Sequence, residues 1–291
     1  MCYIEKYINP FTDFGFKKIF GDEENTELLK SLINDILGLE GDKKIKNIIF
    51  KNGELLPDSP NDRKAIFDLY CEDERGSNFI VELQKVYQEH FQSRALYYAT
   101  FPIQEQAIRG AWDFSLTPIY FIGLLNFEVE RFKDTPEYLH HGQILDIKTK
   151  KVVYDKLNMV YVEIPKFKKD NKEQFNHLEW WIYVFQNLNK MTDIPKELEG
   201  DIIEKAFEKA EFIKLPKEEQ DKYHRNLKIY RDLINSYKTA HKTGLTEGIE
   251  QGIKQRNQEI AKNLLKASMS IEFIMETIGL SIDEIERLDR I

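Results

Sequence analysis

The stretch AIFDLYCEDERGSNFIVELQK, residues 65–85, places Asp68 and Glu82 inside two apolar runs whose pattern asks for Val or Ile. Carboxylates are rarely fully buried unless they are paired or hold a metal. With the turn near residues 75–76, antiparallel pairing sets Asp68 across from the neighbourhood of Glu82 to Gln84. Glu82 and Gln84 share a face by strand alternation, and so do Lys64, Ile66 and Asp68. Two carboxylates, an amide and an ammonium are therefore expected to converge at one end of a hairpin. Carboxylates that close repel, so at least one has a raised pKa unless a cation sits between them. Magnesium suits the purpose, since it takes oxygen ligands and is commonly held by one or two carboxylates plus water and phosphate. In an ordinary hairpin each acid would instead pair with Lys or Arg, or lie on an exposed edge.

The surrounding elements must position these groups. "PFTDFGFKKIFG" predicts a short helix with Thr12 as N-cap and Gly21 as its end. Leu28, Leu29, Leu32, Ile33, Ile36 and Leu37 recur at helical spacing up to Gly38. A strand is expected over 45–51, a Pro- and Asn-rich loop next, and then the paired strands 64–72 and 78–86. A helix over 89–112 follows, with Pro102 as a possible kink. "PIYFIGLLNF" (118–127) is apolar on both faces, as a strand covered by helices on each side would be. The helix between strands permits a parallel crossover. "QILDIKTKKVVYD" predicts a hairpin and "MVYVEIPKF" one more strand, giving a mixed sheet flanked by helices. From about Glu173 the strand signals disappear. "EWWIYVF" reads as core packing, and His90, His140 and His141 as surface residues. Gly244, Gly248 and Gly252 recur on one helix face, and Ser281 with Glu284 forms a capping box.

The formal net charge of −8 argues against a dedicated DNA-binding module. It leaves room for an enzyme acting on nucleic acid, because a bound divalent metal brings positive charge to the phosphate. Cys2 and Cys71 provide neither a disulfide framework nor zinc-ligand spacing. "PIYFIGLLNF" is about half of what a membrane helix needs, so no membrane association is expected. "MCYIEKYINPF" lacks the basic-then-apolar pattern of a signal peptide, and the expected location is cytoplasmic.

An Asp in one strand, about a dozen residues, and then Glu-x-Gln resembles the metal site of the PD-(D/E)XK nuclease superfamily. The order helix, three strands, helix, strand resembles its restriction-endonuclease-like core. "TDFGFKKIFG", "LLKSLINDIL", "FDLYCEDERGSNFIVELQ", "SRALYYATFPIQEQAIRG", "PIYFIGLLNF", "VEIPKF" and "EWWIYVFQ", in that order, resemble the bacterial recombination-promoting nuclease and transposase-like family within that superfamily. The glycine-punctuated tail fits it too. The resemblance implies an α/β fold: a PD-(D/E)XK core over 1–167, an all-helical region over 168–243, and a helical tail over 244–291.

It further implies that Asp68 and Glu82 ligate Mg2+ (or Mn2+), with the Leu83 carbonyl as a third ligand. Gln84 stands where the wider superfamily more often has Lys. A Gln orients water but adds no charge and is no base. Lys64 either restores that charge or is a solvated strand-start lysine. Asp13 is either a further catalytic acid from the first helix or a helix-start carboxylate. Lys17 contacts either phosphate or solvent. Arg94, Tyr98 and Gln106 are expected on the helix after the third strand, as substrate-side groups or as ordinary rim. The expected function is a magnesium-dependent DNA endonuclease tied to recombination, transposition or mobile-element conflict, forming a homo-oligomer through its tail. The alternatives are a catalytically inactive binding module of the same fold and a nuclease acting on RNA.

Overall fold

The structure, a computed structural model, describes residues 5–55, 65–107 and 113–289. Lys64 lies outside the described residues. Contacts divide the chain into two compact units, Met1–Arg231 and Asp232–Ile291.

In the first unit, α1 (Asp13–Phe20) starts on Thr12, whose hydroxyl accepts from Gly15 N at 2.9 Å, and ends at Gly21. The helix α2 (Glu27–Ile36) buries Leu28, Leu29, Leu32, Ile33 and Ile36, the apolar stripe expected from its spacing. Next come β1 (Ile48–Phe50), β2 (Glu54–Leu55), β3 (Ala65–Ile66), β4 (Leu69–Asp73) and β5 (Asn78–Gln84). The strand expected over 64–72 is thus two pieces. β3 pairs with β2 in a separate two-stranded sheet, and the chain bends at Asp68 before β4 joins the main sheet. Between β4 and β5 the chain turns through Gly76 at φ +78°, a left-handed conformation suited to glycine.

The chain continues through α3 (Phe91–Glu105), β6 (Ile119–Leu125), β7 (Leu139–Leu145) and β8 (Val152–Glu163). The six-stranded sheet has the order β1-β4-β5-β6-β8-β7. β6 is parallel to β5 and to β8, and the remaining neighbours are antiparallel. The crossover through α3 is therefore parallel, as expected. The hairpin and the strand after it are joined differently from the expectation. β8 is one continuous strand serving as both the return arm of the hairpin and the partner of β6.

One face of the sheet packs on α1, α2, α4 (His177–Asn187) and α5 (Glu204–Ala210), around Phe16, Phe20, Trp181, Phe185 and Phe207. "EWWIYVF" is core, with Trp181 fully buried. Residue 168 marks a change in element type, while the core continues across it into α4 and α5. The other face packs on α3 through Tyr70, Ile80, Phe91, Phe121, Leu125 and Tyr161. A Cβ on Gly123 would lie 3.2 Å from the Phe91 ring, so its absence lets α3 approach the sheet.

The helix α6 (Lys217–Lys266) begins in this unit, where the Tyr223 hydroxyl accepts from Asn9 N at 2.9 Å. In the second unit the end of α6, α7 (Ile271–Ile278) and α8 (Ile282–Asp289) enclose Ala261, Ile274, Leu280 and Ile285. The Ser281–Glu284 capping box forms, with bonds of 3.0 Å and 3.4 Å. Among the described residues no helix is long and apolar enough to cross a membrane.

Candidate active site

The pairing Leu69↔Val81 carries Asp68 to the position opposite Glu82. At that point the ladder is replaced by side-chain bonds. The Asp68 N–H donates to Glu82 Oε1 at 3.0 Å, and the Leu83 N–H donates to Asp68 Oδ2 at 2.8 Å. Each carboxylate thus uses one oxygen to hold the two chain segments together. The other oxygens, Asp68 Oδ1 and Glu82 Oε2, have no hydrogen-bond donor among the described residues. The bend at Asp68 explains how an acid tolerates its place in an apolar run, since it sits at the mouth of β4 rather than within it.

Burial pushes both carboxyls upward in pKa. For Asp68 the Leu83 N–H opposes that rise, the charge of Asp13 adds to it, and Lys17 and Lys85 moderate it. Glu82 is pushed up to about 8, first by burial and then by Asp68, with Arg94 and Lys17 pulling the other way. Two elevated carboxyls facing each other form a site short of positive charge. Hard oxygen donors are what Mg2+ or Mn2+ takes. Among the described residues no group of three or more His, Cys, Asp or Glu side chains stands at metal-holding spacing. Asp68 and Glu82 are thus the two acidic groups that could hold such an ion here, a small set that would suit an ion keeping much of its water.

Gln84 ends β5 with its side chain buried. Its Nε2 donates to the Val86 carbonyl at 3.2 Å, and its Oε1 accepts from Arg94 Nη2. Each end of the amide thus has one protein partner, which leaves one N–H and one lone pair of the amide for other groups. Arg94 thereby places a guanidinium beside Gln84. Its Nη1 reaches Gln88 Oε1 at 2.6 Å, and its guanidinium lies over the Phe91 and Tyr98 rings. One helical turn separates 94 from 98, and Tyr98 lies within the electrostatic reach of Glu82 and Asp68.

From the other side, α1 presents Asp13 and Lys17. Thr12 supplies the cap, so Asp13 is not the capping residue; its Oδ1 lies 2.6 Å from Lys85 Nζ. Lys17 is exposed, with its charge acting on both carboxyls. Lys85 was not singled out from the sequence, because strand alternation turns it away from Glu82 and Gln84. β5 ends at Gln84, however, and alternation stops constraining the chain there. The adjacency of Lys85 to Glu-Leu-Gln was the available signal.

Gln106 is not brought to this group. It accepts from Thr117 N at 2.7 Å, just before β6, whose first residue pairs with Asn78 at the far end of β5. His140, expected on the surface, is instead largely enclosed against Glu163 and stacked on Phe132.

A family model described as PD-(D/E)XK nuclease family transposase matches residues 10–240. No curated protein and no solved structure matches the chain.

Proposed function

The chain belongs to the PD-(D/E)XK nuclease family transposases, and from that premise we propose that it is a metal-dependent DNA endonuclease hydrolysing phosphodiester bonds. The observation that carries this is the cross-bonded pair Asp68 and Glu82, each with one oxygen lacking a donor among the described residues. These two side chains and the Leu83 carbonyl would hold Mg2+ or Mn2+. When bound, the ion supplies a water of lowered pKa and charge opposite the phosphate. Arg94, braced by Gln84, offers the scissile phosphate a guanidinium, and Lys17 and Lys85 add charge from the α1 side. Tyr98 closes the wall behind Arg94.

DNA is the substrate in this reading, and the biological setting is DNA breakage in recombination or transposition. A second copy of the chain is the partner of the tail. In support, Leu245, Ile249 and Ile253 recur every fourth residue and are each more than half exposed.

The test is cleavage of supercoiled plasmid with magnesium or with chelator, beside Asp68→Ala and Glu82→Ala proteins checked for folding by circular dichroism. Nicking that requires magnesium and vanishes in both variants is the expected result. Chelator-resistant nicking, or full activity in either variant, refutes the assignment.

A further inference from the structure

Next to the candidate active site is a notch of about 330 Å³ between the start of α3 and the loop after β6. Tyr87, Gln88, Glu89, Gln92, Glu130 and Arg131 line it. Gln88 belongs to both places, since its Oε1 also accepts from Arg94, which holds Gln84. The Tyr87 ring is partly exposed and braced edge-on against Phe127 at 5.6 Å. Glu130 is paired with Lys133, whereas Arg131 has no ion pair among the described residues.

The loop carrying Arg131 is held by ionic groups that the proposed hydrolysis does not use. Glu163, fully buried at the end of β8, accepts from Val129 N and lies 2.7 Å from both His140 Nε2 and Lys166 Nζ. Lys166 also donates to the carbonyls of Phe132 and Thr135, and His140 stacks on Phe132 at 4.0 Å. Asn126 N, at the loop's start, donates to the Gln84 carbonyl at 2.9 Å. Arg131 thus stands on a braced loop tied to the same strand end as the candidate site.

We propose that this notch is a subsite for a single unstacked nucleotide of the cleaved strand, adjoining the scissile phosphate. Arg131 takes the nucleotide's phosphate, the Tyr87 ring stacks on its base, and Gln88, Gln92 and Glu89 meet the base's polar edge. An aromatic face beside a guanidinium is the combination that holds single strands without requiring a partner strand. Amides and a carboxylate offer donors and acceptors to a base edge that pairing no longer covers. The subsite rests on the nuclease reading and makes the preferred substrate single-stranded, or melted at the point of cutting.

The test is fluorescence anisotropy with the full chain in chelator, using a labelled single-stranded oligonucleotide and the matching duplex. Arg131→Ala and Tyr87→Leu are each expected to weaken single-strand binding about tenfold, a typical size for one stacking contact. Duplex binding should change little. Lys150→Ala, a charge removed from the β7–β8 turn, should leave both unchanged. Wild-type single-strand affinity in both Arg131→Ala and Tyr87→Leu overturns the subsite while magnesium-dependent plasmid nicking still stands. Equal losses on single strand and duplex overturn the unstacked nucleotide. A wild-type protein that binds neither probe and nicks no plasmid removes the nuclease reading, and the subsite with it.

Discussion

The backbone N–H of Asp68 donates to the carboxylate of Glu82, so the two acids at the mouth of the β4–β5 hairpin are joined through main chain as well as facing each other. Burial is the main cause that raises both pKa values, with Asp13 adding to the rise at Asp68 and Asp68 to that at Glu82, and a divalent cation between them would favour their charged forms. Millimolar Mg2+ or Mn2+ is therefore expected to raise the thermal midpoint of the wild-type protein at pH 8, by mass action on the folded state. Glu82→Gln and Asp68→Asn should remove that response. Scanning calorimetry with and without metal decides it, and equal shifts in all three proteins would rule out binding at this pair.

Arg94 carries the charge beside Gln84. Arg94→Ala should lower plasmid nicking by about 10²–10³, the usual cost of removing one preorganised group that stabilises transition-state charge. Gln84→Lys, although it installs the residue commoner in the wider superfamily, should not raise activity, because it sets an ammonium against the Arg94 guanidinium. A Gln84→Lys protein faster than wild type would show that Arg94 does not fill that role.

His177 links three elements: Nδ1 bonds Asp35 of α2, and Nε2 lies 3.0 Å from Asp201 before α5. The Asp35 bond is the main cause that raises its pKa from 6.5 to about 9, with burial opposing and Asp201 adding to the rise. The folded protein therefore holds a proton that the unfolded chain gives up between those values. This contribution to stability is complete below pH 6.5 and disappears as pH rises through 9. The thermal midpoint of wild type minus that of His177→Asn should shrink over that interval. A difference independent of pH would mean that His177 is not the titrating group.

Among the described residues, Glu163 is the one acidic partner of the Lys166 ammonium, which otherwise bonds loop carbonyls. Glu163→Ala strands that buried cation and should cost about 3–5 kcal/mol in urea denaturation. Adding Lys166→Met should recover part of the loss, since the charge that was left unpaired is gone. No recovery would assign the cost to packing around Val129 instead.

If the tail binds a second copy of the chain, Ile249→Asp should reduce the mass measured by light scattering to that of one chain while the helical circular dichroism signal persists. A wild-type protein already of single-chain mass would exclude this partner.

Much of this protein follows from short-range rules. Alternation and the turn at residues 74–77 set Asp68 opposite Glu82, and helical spacing marked the buried stripe of α2 and the aromatic core of α4. Such patterns are legible because strand and helix geometry repeats over a few residues and water selects one face. Tertiary structure decided which groups gather around the candidate site. The bend that takes Asp68 out of the ladder, the Arg94 grip on Gln84, the Lys85–Asp13 pair and the enclosure of His140 by Glu163 each depend on packing and on where strands end. Gln106 shows the same limit, since α3 carries it to the opposite end of β5 from Glu82. Partners of long polar side chains are chosen by what the folded backbone brings within about 3 Å, and no periodicity in the chain encodes that.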